Sequence, residues 1–136
     1  MGPLLGVSIL VFGGYLAFAY QPEIAPVSAD DLPEYDREPV EKGRILAAAG
    51  YRASCHTAAD GAPCAGIYAM EIGFGRFYSK NITPDPDLGI GAWSEQAFRR
   101  AMHEGVNREG QHLFPGFPFD HFGKMSDEDI RTIMPI

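Results

Sequence analysis

Cys55 and His56 stand side by side in the run Tyr51-Arg52-Ala53-Ser54-Cys55-His56. A thiol next to an imidazole is the second half of the C-x-x-C-H pattern, in which two cysteines form thioethers to haem vinyl groups and the histidine ligates the iron. Arg52 occupies the place of the first cysteine. The pattern therefore offers one thioether, through Cys55, and one axial ligand, His56. A cysteine followed by a histidine is a short signal, so the surrounding elements must carry the reading. Cys64 is the second of the chain's 2 cysteines. A Cys55–Cys64 disulfide is the competing use of both thiols, because it would close a short loop in an oxidising compartment. Other reactive frames are absent: there is no Ser-His-Asp spacing, no phosphate loop and no recognisable carboxylate pair. No histidine spacing points to zinc; His103 is expected to be solvated, and His112 to satisfy a carbonyl or a haem propionate.

What must position Cys55 and His56 is a small domain behind an apolar segment. Pro3 to Tyr20 is apolar apart from Ser8, and no charged side chain appears before Glu23. As a helix this run would rise roughly 27 Å, close to a bilayer's hydrocarbon core. Ala17-Phe18-Ala19 also fits a signal-peptidase site, but the stretch has no Lys or Arg ahead of it, so residues 1–21 are expected to be one retained transmembrane anchor. Residues 22–37 carry Pro22, Pro26 and Pro33 among acidic and small residues and are expected to form an extended linker. The folded domain then covers residues 38–136. Its thin apolar content and long Gly- and Pro-rich loops suit a fold organised around an internal cofactor. With 18 acidic against 11 basic side chains and a net charge of −7, nucleic acids and anionic lipid surfaces are excluded as partners.

Three helices are expected in that domain. The first starts at Pro39, carries Val40, Gly43, Leu46 and Ala47 on one stripe and stops at Gly50; Gly43 implies close approach by another helix. The second has Ser94 as N-cap, Trp93 and Phe98 as a hydrophobic staple, Phe98, Ala101 and Met102 on its buried side, and Gly105 at its end. The third opens with Ser126 and Asp129 in a capping-box arrangement, turns Ile130, Ile133 and Met134 inward, and is cut by Pro135.

From Glu41 to Ile130 the sequence resembles the first haem domain of the membrane-anchored cytochrome c subunits that serve periplasmic dehydrogenases. The blocks that carry the resemblance are Gly43-Arg44, Phe74-Gly75, Tyr78-Ser79-Lys80-Asn81-Ile82-Thr83-Pro84-Asp85, Gly89-Ile90-Gly91-Ala92-Trp93-Ser94, and Arg108-Glu109-Gly110-Gln111-His112-Leu113-Phe114-Pro115. Two branches are similar, the quinoprotein alcohol dehydrogenase subunits and the molybdopterin aldehyde dehydrogenase subunits. Gln21-Pro22-Glu23-Ile24 and Phe119-Asp120-His121-Phe122 look more like the second.

The resemblance implies an all-α, class I cytochrome c-like domain with long loops around haem, preceded by one N-terminal transmembrane helix. It implies a non-catalytic electron-transfer and anchoring subunit, single-pass in a bacterial inner membrane with its domain facing the periplasm. Electrons would come from a catalytic dehydrogenase subunit and an iron–sulfur subunit and go towards quinone. The cofactor would be haem c on a single thioether, held by Cys55 and His56. Members of the family usually carry three such domains, and this sequence runs through the first. Where the alcohol dehydrogenase branch has a ligating Met, this chain has Phe117, which cannot bind iron. His121, within an aromatic stretch, then stands as the sixth ligand, with Met125 the alternative and an open site the third option. Met125 also precedes the Ser126 cap and would staple onto Ile130. Asn81 to Asp85 is expected to pack at a haem edge, and Arg76 and Trp93 are candidate propionate contacts. A haem-free structural subunit that kept the fold is the alternative that Arg52 favours.

Overall fold

A computed structural model describes residues 3–28, 42, 43, 45–47 and 52–134. Helix α1 runs Pro3–Ala19, a one-turn helix α2 runs Arg52–Cys55, and strands β1 (Ala69–Ile72) and β2 (Gly75–Tyr78) follow. Helices α3 (Glu95–Glu104), α4 (Phe119–Phe122) and α5 (Asp127–Ile133) complete the described elements. Residues 42, 43 and 45–47 are helical as well. The expected start at Pro39 and stop at Gly50 of that helix lie outside the described residues.

The core forms where α3 meets α5. Ile90, Phe98, Met102, Ile130, Ile133 and Met134 are buried together, and Leu46, Ile82, Trp93, Phe117, Phe122 and Met125 pack around them. Both helices start as their sequences dictate. Ser94 accepts a hydrogen bond from the Ala97 amide at 3.2 Å, and Ser126 from the Asp129 amide at 3.1 Å. Gly105 ends α3 in the left-handed region at φ 66°, its amide donating back to the Ala101 carbonyl. Gly43 lies so close to the Thr132 backbone of α5 that an added Cβ would collide with the Thr132 carbonyl oxygen. The close approach inferred from this glycine is thus met, and it sets the helical residues 42 and 43 against the end of α5.

Two expectations are corrected. The domain is not all-α: β1 and β2 pair antiparallel, with Ala69 opposite Tyr78, Met70 opposite Phe77, Glu71 opposite Arg76 and Ile72 opposite Gly75. Gly73-Phe74 forms the two-residue connection. Met70, Ile72 and Phe77 turn to the half-buried side, and Phe77 meets Phe114 with ring centroids 4.5 Å apart. Glu71 and Arg76 pair across the strands. Four-residue strands between glycines read as loop in the sequence, because so short an alternation gives no clear period.

The transmembrane helix is the second correction, and single-pass anchoring in an inner membrane goes with it. Among the described residues no helix is long and apolar enough to cross a membrane. Helix α1 has 17 residues, or about 25 Å at 1.5 Å per residue, short of a hydrocarbon core of about 30 Å. Apolar composition runs on to Tyr20, but Pro22 biases Gln21 away from helical geometry, so the helix ends first.

Beyond α1 the chain runs extended and binds to the domain. The Ile24 amide donates to the Arg108 carbonyl at 2.9 Å and the Val27 amide to the Ala92 carbonyl at 3.0 Å. Arg100, 8% exposed in the middle of α3, donates to the carbonyls of Pro22 at 2.7 Å, Asn107 at 2.6 Å and Arg108 at 3.1 Å. Gly110, at φ 80°, faces the Gln21 carbonyl at a distance that leaves no room for a Cβ.

Candidate haem site

Helix α2 is a single turn with no buried residue. One turn fixes several dihedrals for little hydrogen bonding and is not stable by itself, so its position must come from elsewhere. The turn continues into His56, whose amide donates to the Arg52 carbonyl at 3.1 Å. The chain then folds back. The Gly66 amide donates to the His56 carbonyl at 2.7 Å, Thr57 and Gly66 form a parallel bridge, and the Cys64 amide donates to Thr57 Oγ1 at 3.0 Å. Gly66 has φ 82° and touches the backbone of residues 79–81, so glycine is required there on both counts. The Ile82 amide closes the circuit by donating to the Cys64 carbonyl at 2.9 Å.

His56 Nδ1 lies 2.7 Å from the Lys80 carbonyl oxygen. A carbonyl only accepts, so Nδ1 carries the proton and Nε2 keeps its lone pair. Axial histidines are oriented in this way, with one ring nitrogen donating to the protein and the other bound to metal. Burial pushes the His56 imidazolium below the ordinary histidine range, and the positive Arg52 pushes in the same direction, while the Lys80 hydrogen bond opposes both. The ring is therefore neutral near pH 7, the form that ligates iron.

Arg52 does more than mark a missing cysteine. Its Nη1 donates to the Ile133 carbonyl at 2.9 Å and its Nη2 to the Ile82 carbonyl at 2.8 Å. Burial lowers its pKa somewhat, with Cys64 opposing, but a guanidinium remains charged at any physiological pH. Cys55 is exposed and Cys64 partly buried, and both thiols are free. The disulfide alternative is thus not formed. An exposed thiol one residue from an oriented, neutral imidazole is a donor set that fits haem c.

The other candidates are on other elements. His121 is on α4, its side chain 78% exposed, with Nδ1 3.0 Å from Asp120 Oδ1; that contact holds the Asp120 carboxyl below the usual carboxylate range. Met125 is partly buried against the core beside Phe117 and Phe122, whose rings stack at 5.2 Å. Trp93 packs on the core, and Arg76 bonds Glu71. Asn81 Oδ1 accepts from the Thr83 amide and hydroxyl, so the Asn81 to Asp85 stretch is a self-bonded turn beside Lys80. His103 is partly buried with its Nε2 enclosed rather than solvated. His112 lines a groove with Tyr15, Phe18, Glu104 and Val106. Sequence reasoning missed the Lys80 carbonyl and Arg52's two acceptors. A backbone carbonyl has no sequence signal, but a charged residue inside the motif was a sign that something must receive it.

No family model matches the chain. It is 45% identical over 128 residues to a nicotinate dehydrogenase subunit of Pseudomonas putida, covering 90% of this chain and 11% of that protein. It is 33% identical over 127 residues to the cytochrome c subunit of the quinone alcohol dehydrogenase of Gluconobacter oxydans, covering 93% and 27%. Against the cytochrome c subunit of gluconate 2-dehydrogenase from Pantoea cypripedii the identity is 39% over 94 residues, covering 69% and 21%. The chain thus spans about a tenth to a quarter of the length of these relatives. Their agreement, reached from several dehydrogenases of different substrate, places the chain in the family of dehydrogenase cytochrome subunits, of which it matches one segment.

Proposed function

We propose that the chain is a haem c electron-transfer unit of a dehydrogenase complex, non-catalytic in itself. The observation that carries this reading is the 2.7 Å bond from His56 Nδ1 to the Lys80 carbonyl, which leaves Nε2 free beside Cys55. Cys55 would hold the group by one thioether, and His56 would be the axial ligand from the motif. His121 is the proposed sixth ligand and Met125 the alternative. Bound haem c supplies a one-electron Fe(III)/Fe(II) couple. The chain's contribution is to fix the ligand's tautomer and keep it neutral. Electrons would enter from a catalytic dehydrogenase subunit through an iron–sulfur subunit and leave towards quinone. The names of relatives that are subunits of dehydrogenases support the catalytic partner.

The test is a haem stain on a denaturing gel with intact mass of the same chain. Stain together with a mass gain of one haem, lost in Cys55→Ser and kept in Cys64→Ser, is the expected result. An unstained chain at plain polypeptide mass, with no haem absorbance before denaturation, would overturn the reading in favour of a haem-free structural subunit. For the sixth ligand, His121→Ala is expected to change the ferric spectrum from low spin towards high spin, and Met125→Leu to leave it unchanged. The reverse outcome reassigns the ligand to Met125.

A further inference from the structure

Arg52 sits where a complete motif has a bond to the cofactor, and it is tied to the protein instead. We infer that Arg52 is a positioning residue for His56: its guanidinium clamps the motif turn to the wall that aims the imidazole, and it leaves a fixed positive charge beside the ligand. The inference rests on the haem reading for its redox half and on geometry alone for its positioning half.

Two long-range bonds from Arg52 hold the turn to the rest of the domain. Arg52–Cys55 buries no side chain, and Ala53, Ser54 and Cys55 are exposed. Arg52 reaches far from the turn, to Ile82 at a sequence separation of 30 and to Ile133 at a separation of 81. Both acceptors matter. The Ile133 carbonyl closes α5, where the last carbonyls of a helix have no partner within it and attract positive charge. Ile82 belongs to the same short segment as Lys80, whose carbonyl receives His56 Nδ1. So the ring and the guanidinium, four residues apart on one turn, grip the same segment at two points. A two-point grip fixes the rotation of the turn, which a single hydrogen bond does not. A planar fork suits this task better than an ammonium, because its two outer nitrogens diverge towards separate acceptors.

The residue acts electrostatically too. A part-buried positive charge near a bound iron would disfavour the more positive ferric state, so its removal would shift the reduction midpoint downwards. The first thioether of a complete motif brings no such charge.

The test compares the full chain with Arg52→Gln and Arg52→Lys. In the haem-free proteins, imidazole nitrogen NMR is expected to show His56 locked with the proton on Nδ1 in the parent chain. In Arg52→Gln the tautomers should average and the Nδ1 proton should exchange about tenfold faster or more, the factor that goes with one charge-assisted hydrogen bond. Arg52→Lys, which keeps the charge but reaches one carbonyl, should fall between. In haem-loaded protein, Arg52→Gln should shift the midpoint downwards and Arg52→Lys should hold it. A locked tautomer in folded Arg52→Gln overturns the positioning role, and an unchanged midpoint overturns the electrostatic one. If Arg52→Gln does not fold, parent-like exchange in Arg52→Lys overturns the proposal, and faster exchange supports it. A parent chain that takes up no haem would defeat the electron-transfer reading, and the haem-free NMR would still decide the role of Arg52.

Discussion

The turn that carries Cys55 and His56 and the helix pair α3 and α5 are built by opposite means. Helices α3 and α5 close over Phe98, Met102, Ile130 and Ile133, and each starts on a serine cap. Helix α2 buries nothing, and Arg52, the His56 ring and a folded-back backbone hold it in place. One half is fixed by area removed from water, the other by the direction of individual hydrogen bonds. The difference suits a ligand site. Apolar packing tolerates small rearrangements, whereas an axial imidazole needs one tautomer and one ring orientation.

The largest effect is expected in the apolar half. Ile130 is 1% exposed at the centre of the core, and truncating it to Ala should cost about 2–5 kcal/mol through lost burial and an unfilled cavity. Urea unfolding measures this. The comparison sharpens if the His56 Nδ1 proton, followed in the same variant under native conditions, stays protected, because its own acceptor, the Lys80 carbonyl, lies outside that cluster. Equal loss at both places would mean the two halves are a single cooperative unit.

Next comes Arg100, a polar tie set inside the apolar half. Replacing it with Met keeps most of the aliphatic volume and removes a charged donor from three carbonyls, of which those of Asn107 and Arg108 keep the Gly110 and Ile24 amides while that of Pro22 loses its bond. A loss of about 2–3 kcal/mol is expected, the range for hydrogen bonds to charged groups. Protease cleavage near Pro22 should rise in step, since the extended segment is held to the domain through this residue. Unchanged cleavage would show that the Ile24 and Val27 amide bonds suffice.

How much of this was legible in the sequence divides along the same line. Ser94, Gly105 and Ser126 announced their helices because caps act within three or four residues, and Phe98, Met102, Ile130 and Ile133 recur at helical spacing. Gly43 announced a close neighbour for the same local reason, although not which one. Cys55 and His56 were visible as a pair, but the partner of the His56 ring is a carbonyl 24 residues away. Arg52 read as a loss because its acceptors lie far along the chain. The hairpin escaped notice since four-residue strands offer two alternations each, too few to stand out among glycines. The apolar N-terminus misled in another way: composition measures hydrophobicity, but the length of α1 is set by Pro22.

The site half also contains backbone strain that the helical half lacks. Ile67 has φ 62°, in the left-handed region that a β-branched residue adopts at a cost. Its side chain is 70% exposed, so little apolar burial offsets that cost. Ile67→Gly should therefore raise stability by about 1 kcal/mol, read as a shift of the urea midpoint with unchanged slope. Lower stability in the glycine variant would place the Ile67 side chain in contacts that its exposure does not show.

The smallest effect is a change of slope with pH. Burial holds the His56 imidazolium below the ordinary 6.5 of an unfolded histidine. Between the folded and unfolded values the unfolded chain therefore binds more protons, and stability rises with pH across that window. The contribution is fully present above about 6.5 and disappears as pH falls through the lower folded value. Urea midpoints of the parent chain and His56→Gln, compared between about pH 7.5 and pH 5, should converge on the acid side, with the parent losing more. Carboxylates such as Asp129 titrate in both chains and cancel in the difference. Parallel profiles would mean that the ring is protonated in place without leaving Lys80. The imidazolium would then be a tolerated state of the site, and the orientation of the ring would depend on the carbonyl and the guanidinium clamp rather than on neutrality.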